Sequence, residues 1–226
     1  MPIILGTANF GKEYAGHKVN IYEAYRMLNL ALENGIEYID TAEAYENYDI
    51  LFSYPEIGKF KIITKTQGEV DKRFHATLAH GFQYINKKVD GVSVYEPWEA
   101  VSALKRENIK YIQVPYSILD QRLDKTLFWH KSKNIKVFLR SVFLRGYLLN
   151  YSALDNIIEP YGLNRIETCL LFALDKGDCV VGADNSEQLR QIISISKNKI
   201  PEGLKIELKN KFGDMGISTL DLKEEI

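Results

Sequence analysis

The 226-residue chain has two cysteines, Cys169 and Cys179, and their spacing suggests neither a disulfide framework nor a metal site. Net charge is nearly absent: 29 Lys and Arg stand against 30 Asp and Glu, leaving -1 at pH 7. A nucleic-acid footprint needs a basic excess, so no nucleic-acid partner is expected. Long hydrophobic runs are missing as well. The longest, Cys169 to Leu174, is far too short to span a membrane. The opening MPIILGTANFG has no basic start and no apolar stretch of signal length. A cytoplasmic protein with no membrane partner is the expectation. No segment is low-complexity and no linker divides the chain. The expectation is one domain over 1–226, with Lys199 to Ile226 as a C-terminal helix and tail. A composition of 46% hydrophobic and 26% charged residues is an ordinary globular balance. A chain of this length buries a sizeable core without staples.

Strand and helix signals alternate. Short apolar runs rich in Ile, Val and Tyr predict strands at Ile3 to Thr7, Tyr38 to Thr41, Lys61 to Thr66, Val89 to Tyr95, Tyr111 to Pro115, Val137 to Ser141 and Cys179 to Gly182. They lack strict polar alternation, the pattern of parallel strands covered on both faces. Between them, Asn20 is positioned to cap a helix, with Glu23 as a loose capping box and Gly35 as its stop. Ala24, Met27, Leu28, Ala31 and Leu32 form its apolar face. Phe74, Leu78, Phe82 and Ile85 predict a second helical stripe, and Ala100 and Leu104 a third. Leu123 to Lys131, Arg165 to Asp175 and Ser186 to Ser196 are further helix candidates. Seven strands with six or more helices fit a (β/α) barrel or a doubly wound sheet. A dinucleotide fingerprint needs G-x-G-x-x-G after the first strand, and GTANFG lacks the middle glycine.

Three polar residues fall at or just beyond strand ends: Asp40, Tyr45 and Lys65. In a barrel the C-terminal strand ends face one site. A phenol, an ammonium and a carboxylate converging there make a proton-transfer unit. The Lys charge would lower the Tyr pKa, and the Asp would hold the Lys. The plainer reading of the same residues is a buried Asp–Lys pair beside a half-exposed Tyr.

DTAEAY, Asp40 to Tyr45, resembles the D-T-A-x-x-Y motif of the aldo-keto reductase superfamily. Further blocks resemble the family in order from about residue 3 to residue 192: ILGTANFGKEY, ALENGIEYIDTA, IITK, GVSVYEPWEA, IQVPYSILDQRL, LRSVFLRGYLL and VVGADNSEQL. The resemblance implies an α/β fold of (β/α) TIM-barrel type, NADP or NAD as cofactor, and a small carbonyl compound as substrate. It implies Asp40, Tyr45 and Lys65 as three members of the family's Asp-Tyr-Lys-His tetrad, with Tyr45 as general acid. Gln113 and Ser93 match residues that hold the nicotinamide carboxamide, and Arg140 lies beside the nicotinamide. Ser141 and the loop through Gly146 match the pyrophosphate segment. Gly182, Asp184 and Gln188 match the loop at the adenosine end. Relatives with LGTAQFG-type starts often serve cell-surface polysaccharide pathways, which implies a sugar substrate. Tyr48, Tyr54, Trp98 and Trp129 are candidates for a sugar platform.

The departures shape the expectation further. The family's fourth tetrad member is a His ending the fourth strand in an H-x-P setting. This chain has His17, His75, His80 and His130, and none reads as lying in such a strand. Either Tyr95, in Tyr95-Glu96-Pro97, takes the His slot, or GVSVY is the fifth strand and the fourth strand and one helix are deleted. The second reading predicts a shortened barrel lacking one strand–helix unit. Ser93–Val94 replaces the family's S-N pair. A phosphate-binding Arg is replaced by Gln188, with Arg190 near enough to substitute. Losing one such contact weakens binding by about 1.5–3 kcal/mol. Three functions stay open: a carbonyl reductase, a cofactor-independent acid/base enzyme on a sugar, and a non-catalytic binding relative.

Overall fold

A computed structural model describes residues 2–14, 16–124, 134–213, 215–218 and 221. Eight parallel strands follow one another around a closed barrel: β1 (Ile3–Gly6), β2 (Tyr38–Asp40), β3 (Lys61–Thr66), β4 (Ala76–Ala79), β5 (Gly91–Ser93), β6 (Tyr111–Pro115), β7 (Lys136–Arg140) and β8 (Asp178–Val181). β8 returns to β1 with Ile3 opposite Cys179 and Leu5 opposite Val181. The closed sheet has no edge strand.

The seven predicted strands are all present and an eighth stands among them, so the expected loss of the fourth strand did not occur, whereas the expected loss of a helix did. GVSVY is indeed the fifth strand, but the fourth is also there. Phe74, Leu78, Phe82 and Ile85 belong to no α-helix. Leu78 lies on β4, and Phe82 opens a 3-10 turn, Phe82–Tyr84. β4 pairs with β3 from Ile63–Ala76 to Thr66–Ala79, and with β5 at Leu78–Gly91 and Ala79–Val92. What this arc lacks is helix: segments 67–75 and 80–90 contain no α-helix. Ala-Thr-Leu-Ala has weak β-propensity of its own, and the 4-4-3 spacing of its larger neighbours imitates a helix. Hydrogen bonding on both sides and burial on both faces decide the matter.

The helices are α1 (Ile21–Glu33), α2 (Tyr48–Phe52), α3 (Pro97–Leu104), α4 (Asp155–Ile158), α5 (Arg165–Leu174), α6 (Ser186–Ile195) and α7 (Glu202–Phe212). The helix expected over Leu123 to Lys131 lies outside the described residues from 125 onward, as do Trp129 and His130. Asn20 caps α1, its side chain accepting from the Glu23 amide at 3.0 Å. Ala24, Met27, Leu28 and Ala31 are buried against the barrel. Gly35, at φ 72°, turns the chain out through the left-handed region open to glycine. Glu23 does not complete a capping box with Asn20. Its carboxylate instead accepts from the amide of Ser186, the first residue of α6, at 2.5 Å. α7 supplies the expected C-terminal helix and buries Leu204, Leu208 and Phe212. Among the described residues no helix is long and apolar enough to cross a membrane.

Side chains alternate along each strand. Ile3 and Leu5 enter the core between barrel and helices, while Ile4 faces the lumen. Ile63, Ala76, Leu78 and Phe138 join Ile4 there, packed by Tyr38, Tyr111 and Val180. Each fully buried Ile, Leu or Phe in this layer contributes about 1.5–3 kcal/mol. The lumen is therefore a plug. It is also a ruler, because the next inward position on each strand stands one layer higher.

Candidate active site

Two residues past the lumen layer, the inward side chains turn polar. Tyr38 leads to Asp40, Ile63 to Lys65, Leu78 to His80, Tyr111 to Gln113 and Phe138 to Arg140. All five line one cavity of about 610 Å³. That volume lies within the range of about 300–1,000 Å³ usual for small-molecule and cofactor sites. Its position at the C-terminal strand ends is where barrels carry their sites.

Asp40 is 4% exposed and Lys65 2%. Lys65 Nζ donates to Asp40 Oδ2 at 2.6 Å, and Gln113 Nε2 donates to Asp40 Oδ1 at 2.7 Å. Both carboxylate oxygens are thus satisfied, as a buried charge requires. Tyr45 closes a 3-10 turn, Glu43–Tyr45, just past β2. Asn47 pins this loop by donating to the Thr7 carbonyl at 2.6 Å and accepting from Thr41 Oγ1 at 2.9 Å. The Tyr45 ring centroid lies 5.2 Å from Lys65 Nζ. Burial, and after it the Asp40 carboxylate, pushes the Tyr45 phenol far above its ordinary range, with Arg140 pulling the other way. The expected lowering by Lys65 does not dominate. The ammonium is already engaged by Asp40, and desolvation of a phenolate outweighs its attraction.

His80 follows β4 directly, and its amide extends the ladder to the Thr66 carbonyl at 2.8 Å. Its ring meets Tyr45 edge-on, centroids 6.5 Å apart. Burial, then the Lys65 charge, pushes the imidazole down to about 4, so it is neutral near pH 7. His80 Nδ1 is buried without a hydrogen-bond partner. The reading that no histidine ends the fourth strand is therefore overturned. Tyr95 stands beyond β5, not β4, so it does not hold that slot. Its ring carries the Arg140 guanidinium at 4.1 Å.

Arg140 also donates to Ser93 Oγ at 3.3 Å, Ser141 Oγ at 3.1 Å and the Val94 carbonyl at 2.9 Å. Ser93 Oγ in turn donates to Gln113 Oε1 at 3.4 Å. Beyond β7 the backbone is strained: Ser141, Leu144 and Arg145 have φ of 62°, 47° and 55°, and Gly146 has 92°. Non-glycine residues in this region cost about 1–3 kcal/mol each, and such strain gathers at ligand sites. Past β8, Asn9 Nδ2 donates to the Ala183 carbonyl at 3.0 Å and to Asp184 Oδ1 at 2.9 Å. The Asp184 amide donates to Gln188 Oε1 at 2.9 Å.

All twelve residues expected from the sequence to serve catalysis or cofactor binding line this cavity: Asp40, Tyr45, Lys65, Ser93, Tyr95, Gln113, Arg140, Ser141, Gly146, Gly182, Asp184 and Gln188. His80, Asn9, Tyr14 and His17 line it too and were not expected there. Strand parity from Leu78 is the signal that finds His80. Of the proposed sugar platform, Tyr54 is buried and bonded to Asn29, Tyr48 is bonded to Thr64, and Trp98 is exposed on α3. None of these three lines the cavity.

Fold and site together define a TIM-type α/β barrel with a carboxylate, an ammonium, a phenol and an imidazole at its C-terminal mouth. Residues 2–79 match the model of the Aldo/keto reductase family. That segment carries Asp40, Tyr45 and Lys65 and stops one residue short of His80. The fold is also that of solved aldo-keto reductases. The holo form of one from Bacillus halodurans is similar at a TM-score of 0.74 and 18% identity, over 97% of this chain and 94% of that one. An aldo/keto reductase from Klebsiella pneumoniae, in complex with NADP and acetate, gives 0.72 and 16% over 93% and 91%. A glycerol dehydrogenase from Gluconobacter oxydans gives 0.70 and 15% over 92% and 90%. No curated protein sequence matches the chain.

Proposed function

We propose that this protein is a member of the aldo/keto reductase family and an NAD(P)H-dependent reductase of a small carbonyl compound. The observation that carries the reading is the convergence of Asp40, Tyr45, Lys65 and His80 on one cavity wall. The cavity suits an extended dinucleotide. Gly6 and Gly182 give it bare backbone, and two buried polar atoms at its wall, Asn9 Oδ1 and His80 Nδ1, have no protein partner. A bound nicotinamide dinucleotide supplies the hydride.

The chain's own residues do the rest. Tyr45 keeps its proton until a carbonyl oxygen gathers charge, then gives it up. Lys65, fixed by Asp40, steadies the phenolate that remains. Neutral His80 orients the carbonyl oxygen without competing for the proton. By the family resemblance, Ser93, Gln113 and Arg140 would hold the nicotinamide end, the loop Ser141–Gly146 with Arg145 the pyrophosphate, and Gly182, Asp184 and Gln188 the adenosine end; each of these named residues lines the cavity. Tyr95, behind Arg140, walls the substrate side. A sugar is the narrower form of this proposal. Its only support is the resemblance to relatives with LGTAQFG-type starts.

The test is titration with NADH and NADPH followed by a carbonyl screen. Micromolar binding of either, with turnover abolished in Tyr45→Phe, is the expected result. Binding of neither up to millimolar concentration would overturn the reductase reading and leave acid/base chemistry on a sugar or a non-catalytic binding role.

A further inference from the structure

Resting on the reductase reading, and deepening it, we infer that Asp184 selects the dinucleotide that lacks a 2′-phosphate, NADH over NADPH. The Asp184 side chain lines the cavity and is 30% exposed. It does not swing freely. Asn9 Nδ2 holds Oδ1 at 2.9 Å, His17 Nδ1 lies 3.5 Å from Oδ2, and the Asp184 amide is tied to Gln188. Asn9 is 6% exposed, and both partners of its Nδ2 are acceptors, which fixes the amide orientation.

A helix N-terminus is ordinarily ready to bind a phosphate through free amides and the helix dipole. The N-terminus of α6 beside Asp184 is not in that condition. The Ser186 amide is taken by the Glu23 carboxylate, and the Gln188 amide by the Asn185 side chain. The Ser186 contact also holds the Glu23 carboxyl below its ordinary range. On the cavity wall the carboxylate of Asp184 thus stands where a phosphate would seek positive charge, while Glu23, which does not line the cavity, only occupies the Ser186 amide. Arg190 gives no relief: it pairs with Glu187 on the exposed face and does not line the cavity. Among the other basic side chains lining this end, His17 faces Asp184, and Arg145 is carried by the loop beyond β7.

A 2′-phosphate carries about -1.5 to -2 charges near pH 7 and offers mainly acceptor oxygens. Against a fixed carboxylate it is repelled, since Asp184 offers it an acceptor and no donor. A ribose 2′-hydroxyl donates, and an Asp at a ribose is how NAD-specific dinucleotide sites in other folds make the same choice. The discrimination expected is about tenfold or more.

The experiment measures Kd for NADH and NADPH by nicotinamide fluorescence on the whole chain. NADH is expected to bind at least tenfold tighter. Asp184→Asn keeps an oxygen for Asn9 and removes the charge, so the ratio is expected to narrow to within about threefold. Asp184→Arg is expected to reverse the preference, and thermal melting checks that both variants fold. If they do not, the wild-type ratio alone decides. NADPH binding as tightly as NADH, or tighter, overturns the inference and points to Arg145 or His17 as a phosphate ligand. An unchanged ratio in Asp184→Asn overturns the role of Asp184 while leaving the reductase reading intact. Binding of neither dinucleotide removes the reductase reading, and this inference with it.

Discussion

Tyr45 and His80 occupy one pocket and are driven in opposite directions by the same cause. Burial raises the phenol and lowers the imidazole, because it disfavours whichever form is charged. Both are therefore neutral near pH 7. Tyr45→Phe is expected to cut turnover by about 10²–10⁴ while leaving dinucleotide Kd within a factor of a few; a comparable loss of binding would mean a structural role. The acid limb of the pH–rate profile for His80 is expected near 4. A limb near the ordinary value of about 6.5 would show the imidazole to be solvated. Stability follows the same group. A base lowered on folding contributes stability that is full above its ordinary value and fades as pH falls from about 6.5 toward 4. Denaturant melts at pH 7 and pH 5 should show this loss, and His80→Gln should reduce it. The twelve lining residues were legible because each stands at a strand end or in a recognisable block. His80 was not, because its strand was read as a helix.

Among the elements, β4 shows where sequence pattern gives way to tertiary context. Seven strands announce themselves through Ile, Val and Tyr. Ala76-Thr77-Leu78-Ala79 does not, and only pairing with β3 and β5 makes it a strand. The ladder next door is tight. A Cβ on Gly91 would lie 2.3 Å from the Tyr111 carbonyl oxygen and 2.8 Å from its Cβ. Neither can retreat without breaking the β5–β6 pairing at Val92–Ile112. Gly91→Ala is expected to destabilise by about 3 kcal/mol or more, lowering Tm by roughly 6–12 °C. A calorimetric scan checks it, and a change under 2 °C would mean the two strands part easily. Hydrogen exchange at Leu78 is expected to be as slow as at Ile63, despite the poor propensity of β4.

For the whole molecule, the barrel and its order were readable from alternating strands, helices and family blocks. The contacts that bind the first quarter of the chain to the last were not, since no local pattern encodes them. Glu23 to Ser186 is the clearest. Glu23→Ala is expected to cost about 0.5–2 kcal/mol and to speed exchange of the Ser186 amide, with little change at the strand amides. Uniform acceleration would mean that the contact supports the entire barrel.

That tie also sets a timetable. Glu23 and Ser186 are 163 positions apart, and Asn9 and Asp184 are 175. While the chain is being made, Asn9 and Glu23 emerge early and stay hydrated until β8 and the start of α6 follow. The end of the cavity built by Asn9 and Asp184 is therefore among the last parts of the molecule to come into being. A nascent chain stopped short of residue 184 holds Tyr45, Lys65 and His80 but lacks the cavity wall that Asp184 and Gln188 supply.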